Sequence, residues 1–204
     1  MNGTSAPVRR LGLPFGAGAA SLPACAAAHL PTVGLGPVYD GVFHFLMSPE
    51  DLIPVIALAL LCGQRGAPFG RRALWLVPLA WFAGGMTGMQ VGRAPGQAFT
   101  ALSFLLLGGL VAANARVSLR IATVLAALVG FLHGFLNGAG INRFDEGAYA
   151  VLGLALAVFI VVALVASFVI PLQRQWAHVA VRVAGSWIAA SGLLMLGWAV
   201  HSAH

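Results

Sequence analysis

The sequence predicts an all-α integral membrane protein, with about six transmembrane helices following a cleaved N-terminal signal peptide. Three observations carry this. Of 204 residues, 60% are hydrophobic and only 8% are charged, against roughly 25% charged in soluble domains. Apolar runs of near-spanning length recur along most of the chain, matching the roughly 20 helical residues that cross a hydrocarbon core of about 30 Å. The basic residues are all arginines and stand between those runs, as topology signals do. A formal charge of +6 would suggest nucleic acid for a soluble chain, but here it marks loops at a membrane surface.

Arg9 and Arg10 precede a small-residue apolar stretch from Leu11 to about Ala27, and Ala26, Ala27 and Ala28 supply the small residues of a cleavage site. Residues 1–28 are therefore read as signal peptide and 29–204 as one six-helix membrane domain. Cleavage after Ala28 would start the mature chain at His29, whose imidazole and free α-amino group can share a transition metal. Removal of Cys25 would leave Cys62 alone in an apolar helix, with no disulfide framework and no cysteine metal site.

The spans expected are Pro49 to Cys62, Ala73 to Val91, Ala98 to Ala113, Ile121 to Ile141, Tyr149 to Ile170 and Val179 to Val200. Ser48 and Pro49, followed by Glu50 and Asp51, make a helix start: an N-cap serine, proline at the first position, and carboxylates at the positive end of the dipole. The preceding stretch from Val38 to Met47 either completes that crossing or lies at the interface. With the mature N-terminus outside, Arg65, Arg71, Arg72, Arg116, Arg120, Arg174 and Arg182 face inward, against Arg93 and Arg143 outward. Asp40, Glu50, Asp51, Asp145 and Glu146 then all face outward, joined by His29, His44, His201 and His204. Such a surface attracts divalent cations.

Within the fourth span, Gly130, Gly134 and Gly138 form a stripe that admits a second helix backbone. His133 and Asn137 lie beside it, one turn apart on one side of the helix. An imidazole that deep must pair, line a wet cavity or bind something. The second span repeats the pattern with Gly84, Gly88 and Gly92. Its Met86 and Met89 are soft donors, though methionine more often simply packs.

Three segments resemble a known family. They are the run from His44 through Ser48 and Glu50 to Asp51, the run from Arg72 through Trp75 and Pro78 to Ala80, and the run from Phe131 through His133 and Asn137 to Gly138. Together they resemble the hydrogenase and urease accessory membrane proteins of the HupE/UreJ type, over the whole mature chain. That resemblance implies a signal peptide, a mature start near a histidine, about six spans in the bacterial inner membrane with a periplasmic N-terminus, and a nickel permease role. His44, Asp51, His133, Gly134 and Gly138 match the family pattern. Leu52 and Asn137 stand where it has histidines, and fewer nitrogen ligands beside methionines also suit copper or cobalt.

The function expected is a transporter or accessory protein handling a divalent transition metal for metalloenzyme maturation. Nickel is favoured, with copper or cobalt as alternatives, and the metal set is His44, Asp51, His133, Asn137, Glu50 and His29. The ion is cargo, and no tightly bound cofactor is expected. The partners are the bilayer, the metal, and a maturation system or another membrane subunit, without nucleic acid. No Walker loop appears. Two readings compete: an assembly subunit that only packs through its glycine faces, and an intramembrane hydrolase with zinc on His44, Asp51 and His133. The absence of a further general base or serine motif beside those positions counts against an enzyme.

Overall fold

A computed structural model describes residues 34–92, 98–141 and 146–201, all of whose regular structure is helical. The expected signal peptide, His29, Arg93, Arg143, Asp145 and His204 lie outside the described residues. The helices are α1 (Pro37–Met47), α2 (Pro49–Arg65), α3 (Ala67–Val91), α4 (Ala98–Ala112), α5 (Leu119–Gly140), α6 (Gly147–Val169) and α7 (Gln175–His201). Each apolar run read from the sequence falls on a helix, from α2 to α7.

By length and composition, α5, α6 and α7 are apolar and long enough to cross a membrane, and α1 with α2 would make a fourth span if counted as one. The other two helices fall short for different reasons. At 15 residues, α4 reaches about 22 Å against a core of about 30 Å. Long enough at 25 residues, α3 is less apolar because it opens on Pro68, Gly70, Arg71 and Arg72 and closes through Thr87, Gly88 and Gln90.

The segment before Pro49 is a helix of its own. It meets α2 at a 76° bend, where Ser48 is extended at φ −101° and ψ 91° and Pro49 begins the next helix. Ser48 occupies the N-cap position, but its side chain caps nothing; its carbonyl instead accepts from the Asp51 and Leu52 amides, both at 3.0 Å. The bend lets α1 lie across the start of α6. There a methyl on Gly41 would stand 2.0 Å from the Ala150 carbonyl oxygen, and one on Gly153 would stand 2.0 Å from that of Val38.

The two glycine stripes pack on each other. A methyl on Gly134 would lie 2.1 Å from the Trp81 carbonyl oxygen, one on Gly138 would lie 2.0 Å from that of Gly85, and one on Gly84 would lie 2.0 Å from that of Phe131. These contacts advance together along both helices, so α3 and α5 run parallel with backbones closer than any side chain permits. Gly92 is the exception to the expected stripe: at φ 65° it ends α3 in the left-handed conformation, its amide bonded to the Gly88 carbonyl. Gly85, absent from the expected stripe, takes part.

A second glycine contact joins α4 and α7 antiparallel, with Gly185 against Ala112 and Gly192 against Leu105. The ends sort by charge. Arg65 bonds the Asn114 side chain and Arg182 donates to the Ala112 carbonyl at 2.9 Å, which gathers the α2–α3, α4–α5 and α6–α7 connections at one end. Asp40, Glu50, Asp51 and Glu146 belong to the opposite end, where α1, α2 and α6 begin. The outside is apolar, with Trp75, Leu106, Leu164, Trp187 and Leu194 all exposed, as expected of a surface that meets lipid.

Candidate functional site

At its acid-bearing end the helix bundle encloses a polar cluster. The bend at Ser48 sets Asp51 on the first turn of α2, facing inward and only 5% exposed. From α5, His133 enters the same space and is 0% exposed, held deep because Gly130 and Gly134 let the α3 backbone close over its helix.

His133 Nδ1 lies 3.0 Å from Asp51 Oδ1. An ionised carboxylate only accepts, so the bond places a proton on Nδ1. One turn along, the Asn137 amide nitrogen donates to Asp51 Oδ2 at 2.9 Å and to the His133 carbonyl at 2.9 Å. With both amide hydrogens committed to oxygen acceptors, the amide orientation is determined. Asn137 Oδ1 is left buried with no hydrogen-bond partner, an arrangement that costs free energy unless something else supplies a positive charge.

On its other side, His133 Nε2 lies 3.0 Å from Ser103 Oγ, and Ser103 Oγ also lies 2.7 Å from the Thr100 carbonyl. The single hydroxyl proton has two acceptors. Turned to Nε2, it satisfies the tautomer that carries its proton on Nδ1. Turned to Thr100, it leaves Oγ free to accept from a protonated Nε2, the tautomer with an open Nδ1 lone pair. Trp81 stacks on the imidazole with ring centroids 5.8 Å apart and 23° between planes, and Phe45 meets Trp81 edge-on at 5.5 Å. These rings hold the histidine from below.

A cleft of about 160 Å³ opens onto this cluster, lined by His44, Glu50, Asp51, Thr100 and Asn137 among others. The fold therefore brings Asp51, His133 and Asn137 into direct contact and sets half-buried His44 and exposed Glu50 on the wall above them. Among the described residues no three His, Cys, Asp or Glu side chains stand together as a metal cage. A cation held here would meet a mixed set in which the Asn137 carbonyl oxygen joins one carboxylate and one imidazole. Met86 and Met89 pack against the hydrophobic core, and Cys62 is buried with a free thiol.

A family model described as HupE / UreJ protein matches residues 17–195. The chain belongs to the HupE/UreJ family. No curated protein and no solved structure matches it. In this HupE/UreJ chain the match covers all seven helices except the last turns of α7, so the polar cluster lies wholly within the family region.

Sequence reasoning missed Ser103, Thr100, Trp81 and Phe99, whose ring centroid is 6.4 Å from that of His133. For Thr100 and Ser103 a signal existed. They are hydroxyl residues three apart, on one face of an otherwise apolar helix. Trp81 carried none, because nothing local distinguishes a tryptophan that stacks on a distant imidazole from one that faces lipid.

Proposed function

We propose that this protein is an inner-membrane carrier or accessory protein for a divalent transition metal, nickel above copper or cobalt, rather than an enzyme. The chain crosses the membrane six times, the charge-poor short helix and the bent pair included, with the acid-bearing end outside and the arginine end in the cytoplasm. The asymmetry of arginines supports that orientation, and membership of the HupE/UreJ family supports the metal.

The observation that carries the reading is the floor of the outward cleft. There the Asp51 carboxylate and the unpartnered Asn137 Oδ1 adjoin an imidazole whose second nitrogen has a partner able to serve either tautomer. His44 and Glu50 at the mouth concentrate the cation. At the floor the ion competes for the atoms that Asp51 and His133 now offer each other. An ion ligated through Nδ1 would need the imidazole proton on Nε2 instead, where Ser103 Oγ can accept it while its own hydroxyl proton stays on the Thr100 carbonyl. A carrier's ligands must release as well as bind, and an incomplete mixed set suits that.

The test is metal content and affinity of the purified protein, by elemental analysis and titration, together with uptake into vesicles. Wild type is expected to bind nickel, cobalt or copper at micromolar concentration or below, His44→Ala to weaken capture, and His133→Ala to abolish it. Absence of binding by a folded wild-type protein would leave only an assembly role.

A further inference from the structure

The arginine end carries a feature the metal reading does not use. On the outer face of α3, a groove of about 530 Å³ is lined by Arg71, Arg72, Trp75 and Leu79, with Leu119 at the start of α5 closing its other wall. Both arginines and Trp75 are exposed. Arg72 is anchored by a 3.1 Å bond to Thr123, whose hydroxyl donates to the Leu119 carbonyl at 2.7 Å, so its guanidinium is held at the groove with donors to spare. Among the described residues no carboxylate pairs with either arginine, and every described carboxylate lies at the opposite end.

Trp75 and Leu79 also line a second cleft, of about 260 Å³, which continues along α3 to Phe82 and is walled across from it by Leu152, Leu156 and Phe159 of α6. The two clefts share that ridge, and their combined lining runs from guanidinium to purely apolar side chains. From Arg72 to Phe82 is ten helical steps, about 15 Å. That equals half of a hydrocarbon core of about 30 Å, the depth of one leaflet.

We propose that this groove is a binding site for an anionic phospholipid of the leaflet facing the arginine end. The phosphate sits between Arg71 and Arg72, with Trp75 at the headgroup level and acyl chains in the clefts beside Leu79 and Phe82. Charge complementarity identifies the occupant. Paired guanidiniums without a protein carboxylate need an anion, and the apolar path of one leaflet's depth gives that anion chains. Basic pockets between helices on the cytoplasmic side are suited to anionic headgroups.

The experiment titrates the full-length detergent-solubilised protein with phosphatidylglycerol and with phosphatidylcholine of matched chains, read by native mass spectrometry. Phosphatidylglycerol is expected to be retained about tenfold more tightly, and Arg71→Gln with Arg72→Gln to erase the difference, while Arg116→Gln keeps it. Equal retention of both lipids, or preference unchanged in the double variant, would overturn the proposal. So would displacement of phosphatidylglycerol by millimolar inorganic phosphate, which would make the site one for the free anion. Should the double variant not fold, wild type compared with Trp75→Phe decides. Chain-brominated phosphatidylglycerol must quench the fluorescence that Trp75→Phe removes, and must do so more than brominated phosphatidylcholine; equal quenching refutes the site.

Discussion

Asp51 on α2 and His133 on α5, separated by 82 positions of sequence, meet at 3.0 Å in a space from which solvent is almost excluded. The pair makes each residue dependent on the other. Truncating one leaves a buried polar or charged group without its partner, at a cost of about 3 kcal/mol or more.

Asp51→Ala is therefore expected to lose metal binding and stability together, whereas Asp51→Asn keeps an acceptor for Nδ1 and loses chiefly the charge that draws the cation. Thermal denaturation in detergent beside metal titration separates the two effects. If Asp51→Asn bound metal as tightly as wild type, the carboxylate would not be a ligand.

Ser103→Ala removes the partner of His133 Nε2. A stability loss of about 1 to 2 kcal/mol is expected, the usual cost of a buried group left unsatisfied. Metal affinity should fall as well, because the Nε2–H tautomer no longer has an acceptor, and Ser103→Thr should restore part of it. Unchanged affinity in a folded Ser103→Ala protein would remove the hydroxyl from the mechanism.

Trp81 offers a contrast between its ring and its nitrogen. Its Nε1 is buried without a partner, so Trp81→Phe keeps an aromatic face against the imidazole while removing an unsatisfied donor. Stability close to wild type is expected there, against a loss of about 3 to 5 kcal/mol for Trp81→Ala. Chemical denaturation of the three proteins in the same detergent measures the difference.

At the helix contact, Gly134→Ala and Gly138→Ala set a methyl about 2 Å from carbonyl oxygens of α3, which only separation of the two backbones relieves. Both are expected to destabilise by about 1 to 3 kcal/mol or more and to weaken metal binding by displacing His133. Gly109 faces open space, and Gly109→Ala should be neutral or slightly stabilising, since alanine is the better helix former. Equal tolerance at positions 134 and 109 would contradict the close α3–α5 approach.

Helix positions, the arginine asymmetry and the glycine stripes were readable from residue order alone, because they depend on composition and period within one segment. Period also marked His133 and Asn137 as neighbours on α5, and the cost of a polar group at that depth marked them as needing partners. The family resemblance grouped Asp51 with them, but residue order did not show which atoms would pair. Asp51 could be suspected from its place at a helix start, but only the 76° bend at Ser48 turns it inward, and only the α3–α5 glycine contact brings His133 to the depth where it meets Asp51. Likewise the Ser103 hydroxyl reaches His133, and the Thr100 carbonyl accepts from that hydroxyl, only through the approach of α4 to the site. What one helix buries follows from its own sequence; what two helices share follows from how closely their backbones pack, and that is a property of the pair.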